Sequence, residues 1–332
     1  MRSMNIVDLH CDTLEVLLEQ KIRGEHYNLY KREGHLDLER MMSAGYMVQC
    51  FAAFVDMHKT DSPYLRGKAM ADLYKQLCSE YSPYIAPVHH YQDIVNNTAR
   101  GVMSAVLTIE EGGVLEGSLT HLRTFYESGV RMITLTWNYP NEIGFPGAME
   151  QTPVPEASRW KVTGDYPGLT KKGIEIVQNM EQWGIIVDVS HLSDAGFWDV
   201  EAVTKAPFVA SHSDARSICG HKRNLSDAQI RAIARRGGVI GLNYCSEFLE
   251  EDPSGLTLDS FVRHANHILK VGGQEVLALG SDFDGITTNP VLPDAGCMDR
   301  LFDAMQKGGI APSVLDKIQG TNALRVMKEV MK

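Results

Sequence analysis

Residues 185–191 read IIVDVSH and residues 207–212 read PFVASH. Each is a short apolar run that ends on a histidine. Such a run, continuous rather than strictly alternating, is the pattern of a strand covered on both faces. The design recurs at NIVDLH (5–10), YMVQCFAAF (46–54), VMSAVLTI (102–109), VRMITLTW (130–137), VIGLNY (239–244) and VLALGS (276–281). Helical patterns lie between the runs. LTHLRTFYESG (119–129) and LTKKGIEIVQNMEQWG (169–184) space their apolar residues by three and four, as an amphipathic helix does. SDAQIRAIARRGG (226–238) opens on Ser226 as an N-cap and stops at glycine. Eight strand–helix units without a Gly-rich phosphate turn predict an α/β fold, a (β/α)8 TIM barrel, rather than an open doubly wound sheet.

The rest of the composition agrees with one such unit over residues 1–332. The chain has 332 residues, 44% hydrophobic and 22% charged, which excludes a disordered or collagen-like chain. No linker marks a second domain, and insertions into the barrel are expected near 20–45, 56–100 and 138–168. The formal net charge of −10 without a basic run argues against nucleic acid and anionic membranes as partners. No stretch approaches the ~18 apolar residues of a membrane span. The opening MRSMNIVDLHCDTL reaches Asp8 and His10 too soon for a secretory apolar core. Six cysteines are scattered without a CxxC, which suggests reduced thiols and a cytoplasmic location.

In a barrel, chemistry gathers at the C-terminal ends of the strands. Those ends carry His10 and Asp12, Glu110 and Glu111, Trp137 and Asn138, His191, His212, Tyr244 and Asp282. His10 and Asp12 stand two apart, so on an extended strand they share a face, and an imidazole beside a carboxylate suits Zn²⁺. A lone histidine after a strand is usually a hydrogen-bonded loop residue. Two on successive strands, with HxD and a terminal Asp, point to a metal site. Glu111 follows the third run in EEGG. It is read as a carboxylate able to bridge two cations ~3.5–4 Å apart, with Gly112 and Gly113 letting the backbone pass close. Asp8 lies one layer deeper and is expected to orient a ligand histidine. His264 and His267 precede the last strand and are expected at the far side of the barrel. His89 and His90 are read as loop residues.

Taken in order, VDLHCDTL, TIEEGG, TLTWNYPNEIG, VDVSHLS, ASHSDAR, KRNLSD and LGSDFDG resemble the renal-type (membrane) dipeptidase family of metallopeptidases, peptidase family M19, in its bacterial form. The resemblance runs from about residue 5 to GTNALRV near 320–326. It implies an amidohydrolase-like barrel holding two Zn²⁺ ions, and a homodimer. His10 and Asp12 would hold one ion, His191 and His212 the other, with Glu111 between them. Arg223 falls where the family binds the substrate carboxylate. Asp282 falls where it places the acid that shuttles protons, with Asp284 able to exchange roles with it. The substrate would be a dipeptide, often one with a D-residue at the carboxyl end. The chain departs from the mammalian members after the fourth strand, where their histidine is replaced by Trp137. Trp137 is expected to be pocket wall and Asn138 a substitute donor to the scissile carbonyl. Tyr244 is placed with them in the substrate pocket.

Two other readings are weaker. A deaminase or cyclic amidase on the same barrel commonly carries a carboxylated lysine, and no lysine ends a strand here. A non-catalytic zinc protein would favour a closed, Cys-rich site, whereas these cysteines are dispersed.

Overall fold

The computed structural model describes residues 5–150 and 168–331, and in it seven of the eight apolar runs pair as parallel strands. The strands are β1 (Ile6–Asp8), β2 (Tyr46–Phe54), β3 (Ile85–Pro87), β4 (Met103–Glu110), β5 (Val130–Thr134), β6 (Ile186–Asp188), β7 (Ile240–Leu242) and β8 (Leu277–Leu279). Their order is β6-β5-β4-β2-β1-β8-β7. β3 lies inside the insertion expected at 56–100 and is additional to the eight expected strands. It pairs with the start of β4, from Ile85↔Met103 to Pro87↔Ala105.

The run at 207–212 closes the ring without becoming a regular strand. Val209 bridges to Asp188 and Ala210 to Ile240. The Val209 N–H donates back to Val187 O (2.9 Å) and the Ala210 N–H forward to Val239 O (3.0 Å). There the ladder is interrupted, because side chains capture the next two donors: Ser211 N–H goes to Asp188 Oδ1 and His212 N–H to Ser190 Oγ, and backbone bonding resumes at Ser213 N–H to Gly241 O (2.8 Å). Two glycines let this segment sit close. A Cβ at Gly241 or Gly280 would stand 1.9 or 1.8 Å from the Ser211 carbonyl oxygen.

Strand alternation sorts the core into two layers. In β4, Ala105, Leu107 and Ile109 pack outward with the helices. Val106 joins Met132, Ile186, Val209 and Ala278 in a separate buried cluster. Each of the larger apolar side chains among them contributes ~1.5–3 kcal/mol on burial. The expected helices form with the expected punctuation. Ser226 and Gln229 make a capping box at the start of Asp227–Arg235. Ser118 caps Leu119–Glu127 and Thr170 caps Lys171–Trp183. Within the expected insertions, 20–45 contains the helix Leu38–Ala44, and 56–100 contains Pro63–Glu80 and Tyr91–Ala99. Of the insertion expected at 138–168, residues 151–167 lie outside the described residues. Among the described residues no helix is long and apolar enough to cross a membrane.

Candidate metal centre

The barrel rim brings His10, Asp12, Glu110, His191, His212 and Asp282 together in one buried cluster. His10, Glu110 and His212 offer ligand atoms within 4.8 Å of one another, and so do His10, Asp12 and Asp282. Glu110 sits centrally: its Oε2 is 3.2 Å from His10 Nε2, and its Oε1 is 2.8 Å from His191 Nε2 and 3.5 Å from His212 Nε2. Asp12 Oδ2 and Asp282 Oδ1 approach His10 Nε2 from other sides, at 3.5 and 3.8 Å.

The electrostatics of the cluster ask for a cation. Burial pulls His10 toward the neutral form, but the carboxylates of Glu110 and Asp12 outweigh it and raise its pKa well above the usual histidine range. Burial alone would raise Glu110. The three imidazoles reverse this, His10 foremost, and hold it well below the usual carboxylate range. Asp12 is pushed well up by burial and by Glu110. Burial pushes the other two histidines down, His191 to about 4 and His212 well below its ordinary value, which leaves nitrogen lone pairs available.

The donor set fits a bound metal. His10 Nε2 and Asp12 Oδ1 are buried with no hydrogen-bond partner, although carboxylate oxygens stand close to that nitrogen. Atoms that are near one another but misdirected for hydrogen bonding are what a shared central ion requires. His191 Nε2 and His212 Nε2 face each other at 3.0 Å. A Cβ at Gly285 would fall 1.9 Å from Asp12 Oδ2 and 2.6 Å from Asp282 Oδ1, so glycine is what lets these carboxylates converge. Imidazole and carboxylate ligands together suit zinc.

Glu111, read from the sequence as the bridge, is turned away. Its backbone leaves the strand at φ 78°. Its carboxylate accepts from Gly113 N–H (2.7 Å), Trp137 N–H (3.0 Å) and Asn141 Nδ2. It braces the turn after β4 and takes no part in the cluster. Burial pushes its pKa up to about 7 against those three donors. The central carboxylate is Glu110, and its signal was strand parity. β4 runs through Glu110, in register with Phe54 and Thr134, so Glu110 shares the face of Val106 and Thr108.

The remaining residues divide as follows. Asp282 is in the cluster at φ 62°, and its Oδ2 accepts from Asn243 Nδ2 at 2.9 Å. Burial raises its pKa, partly offset by His10. Asp284 is tied elsewhere, to Arg32 and Thr13 at 2.7 Å each and to the His35 N–H at 2.9 Å. Tyr244 is not in the pocket. It is fully buried, edge-on to Phe261 and Phe283, with its hydroxyl toward Met298 Sδ. Strand alternation turns its neighbour Asn243 to the site instead. Asp8 accepts the backbone N–H of His10 and of Ser281, so it fixes main chain and not an imidazole. His264 is held by Ala215 N–H and the Leu249 carbonyl, away from the cluster.

A cavity of about 730 Å³ opens beside the cluster, lined among others by Asn138, His191, His221, Arg223 and Phe248. Arg223 is 7% exposed and lies 5.4 Å over the Phe248 ring, and its Nη2 donates to the His212 carbonyl. Its Nε is buried without a partner. Asn138 Oδ1 is 3.2 Å from His191 Nδ1. Trp137 packs edge-on against Phe54 and Tyr139, as a wall.

A parallel (β/α)8 barrel with buried His and carboxylate ligands at its C-terminal rim defines a metal-dependent hydrolase. Comparison with known proteins narrows this class. The family model for membrane dipeptidase, peptidase family M19, matches residues 1–332. An uncharacterized dipeptidase of Schizosaccharomyces pombe is 31% identical over 98% of this chain and 80% of its own. A metallopeptidase from Rhodobacter sphaeroides, liganded with a phosphinate mimic of the dipeptide L-Ala-D-Ala, superposes with a TM-score of 0.87. It is 25% identical and covers 99% of this chain and 100% of its own. A second solved structure, dipeptidase AC of family M19, gives 0.88 at 26% identity, with 99% of each chain covered. The chain belongs to the membrane dipeptidase family, M19, and is a metallo-dipeptidase.

Proposed function

We propose that the chain hydrolyses dipeptides with two zinc ions, and that substrates of the L-Xaa-D-Xaa type are among them. The observation that carries this reading is Glu110, one carboxylate with an oxygen toward His10 and the other toward His191 and His212. His10 and Asp12 would hold one ion, His191 and His212 the other, and Glu110 both. Such a pair, when bound, supplies Lewis acidity and a water acidic enough to ionise near neutral pH. Asp282, in the same cluster, would take a proton from the reacting water and pass it to the leaving amine, and its raised pKa suits both halves of that task. Arg223 presents a desolvated guanidinium to the cavity, able to grip a carboxylate bidentately. Asn138, its Oδ1 engaged by His191, keeps its amide hydrogens for the substrate carbonyl. The dipeptide mimic bound by the Rhodobacter sphaeroides relative supports the D-residue preference. Six free cysteines, four of them buried, support a reducing, cytoplasmic location.

The test is a panel of L,L and L,D dipeptides, free and C-terminally amidated, with zinc added. A charge-assisted contact contributes about 1.5–3 kcal/mol. Arg223→Met should therefore lower kcat/KM for free dipeptides by about tenfold to a hundredfold. Amidated dipeptides should be poor substrates whose rate the substitution barely alters. Equal sensitivity of free and amidated substrates would remove Arg223 from substrate binding.

A further inference from the structure

Beneath the cluster lies a chain of buried hydrogen bonds that the proposed mechanism does not use. Asp188, at the end of β6, is completely buried and its carboxylate has four donors. Oδ1 accepts from the N–H groups of Ser190 (3.0 Å) and Ser211 (2.8 Å). Oδ2 accepts from the hydroxyls of Thr134 and Ser211, each at 2.5 Å. Ser211 Oγ in turn stands 2.7 Å from His212 Nδ1.

A hydroxyl has one hydrogen to give. Ser211 Oγ gives it to the carboxylate, so toward His212 it can only accept. The ring must then carry its proton on Nδ1, leaving Nε2 bare, and Nε2 is the atom that faces Glu110 and His191. His212 is completely buried, so bulk water does not set its tautomer. Stacking on His10, at 3.9 Å between centroids, leaves the ring little freedom to turn. His191 differs, because its Nδ1 partner is the neutral amide of Asn138 at the cavity wall.

We propose that Asp188 and Ser211 form a relay that fixes His212 in the Nδ1–H tautomer, making Ser211 a positioning residue for the metal centre. The proposal rests on the two-zinc reading for its purpose, but not for its geometry. Asp188 also anchors the seam where the 207–212 segment is held by single bridges, so changing it would disturb folding as well. Ser211→Ala is the cleaner probe, since it removes the hydroxyl and keeps the N–H that Asp188 Oδ1 holds.

Two measurements test the relay. Ring-nitrogen NMR of the full-length protein, stripped of metal and ¹⁵N-labelled at histidine, should show His212 protonated at Nδ1, with Ser211→Ala losing that signature. Chelator competition should show Ser211→Ala binding zinc about tenfold to a hundredfold more weakly, the usual cost of losing a ligand's outer partner. Ser211→Thr should restore most of the affinity. Thr134→Val removes the other hydroxyl on Asp188 Oδ2 without touching His212, so it should lower thermal stability and leave zinc affinity unchanged. A wild-type His212 unprotonated at Nδ1 overturns the proposal. So does zinc affinity that survives in Ser211→Ala, or that falls equally in Thr134→Val. Because the spectrum is taken without metal, it decides the tautomer even where zinc uptake, and with it the proposed function, fails.

Discussion

Exchanging the carboxylates of two adjacent residues, Glu110 and Glu111, separates the metal centre from its scaffold. Glu110→Gln keeps the shape of the side chain and removes the charge that faces His10, His191 and His212. Taking one partner from a buried charged pair costs about 3–5 kcal/mol. At about 1.36 kcal/mol per decade that weakens zinc binding by about 10²–10⁴-fold. Glu111→Gln acts on a different structure. Its carboxylate receives Gly113 N–H, Trp137 N–H and Asn141 Nδ2, and a glutamine places an NH₂ where one of these donors needs an acceptor. Losing one charge-assisted bond costs about 1.5–3 kcal/mol of stability, with zinc affinity retained. The assay is chelator-competed zinc affinity and melting temperature for both variants. Zinc lost from Glu111→Gln and kept by Glu110→Gln would refute the assignment of Glu110 as the central ligand.

Asp282→Asn should retain zinc and lower kcat by about 10²–10⁴-fold, the range for a general acid–base group; an equal loss in Asp284→Asn with Asp282→Asn active would move the role by two residues. His264 should make the fold acid-sensitive. Burial pushes its pKa down to about 4, below the unfolded value of about 6.5. The unfolded chain therefore binds the extra proton first, and stability falls as pH drops from about 6.5 to 4 by about 3 kcal/mol. Urea midpoints at either end of that window should differ less in His264→Gln than in the wild type, and an unchanged difference would exclude His264 as the cause.

The barrel was legible because buried parallel strands write continuous apolar runs, and helix stops write glycines and caps. β3 was not, since only Ile85 of Ile85–Pro87 is buried, unlike the fully buried three-residue strands, and it pairs only with the start of β4. The 207–212 run looked like its neighbours, and nothing in PFVASH announces that Asp188 and Ser190 will take its N–H groups. At the site, His10, Asp12, His191, His212 and Asp282 were readable as polar residues ending strands. Between Glu110 and Glu111 the choice turns on where the strand ends: the apolar run 102–109 stops one residue short of β4, which continues through Glu110. Tyr244 was misplaced for the same kind of reason. Which of Asn243 and Tyr244 faces inward depends on where β7 ends, and sequence fixes strand ends only loosely.

The two carboxylate doublets share a physical logic. Among the described non-glycine residues, positive φ occurs at Glu111, Glu116, His191, Asp282 and Asp284. Four of these five lie at the rim that carries the candidate metal ligands. Such conformations cost about 1–3 kcal/mol each and persist only where neighbours hold them. Glu111 is held by its three N–H donors, and Asp284 by Arg32, Thr13 and the His35 N–H. In each doublet one carboxylate enters the site and the other fastens the sharp turn that aims it. Composition cannot tell the members apart, because both roles call for a buried acid at the end of a strand. The hydrogen bonds distinguish them. The anchoring member is saturated by donors from its own turn or a neighbouring loop. The member in the site keeps an oxygen turned toward His10 Nε2, which has no hydrogen-bond partner.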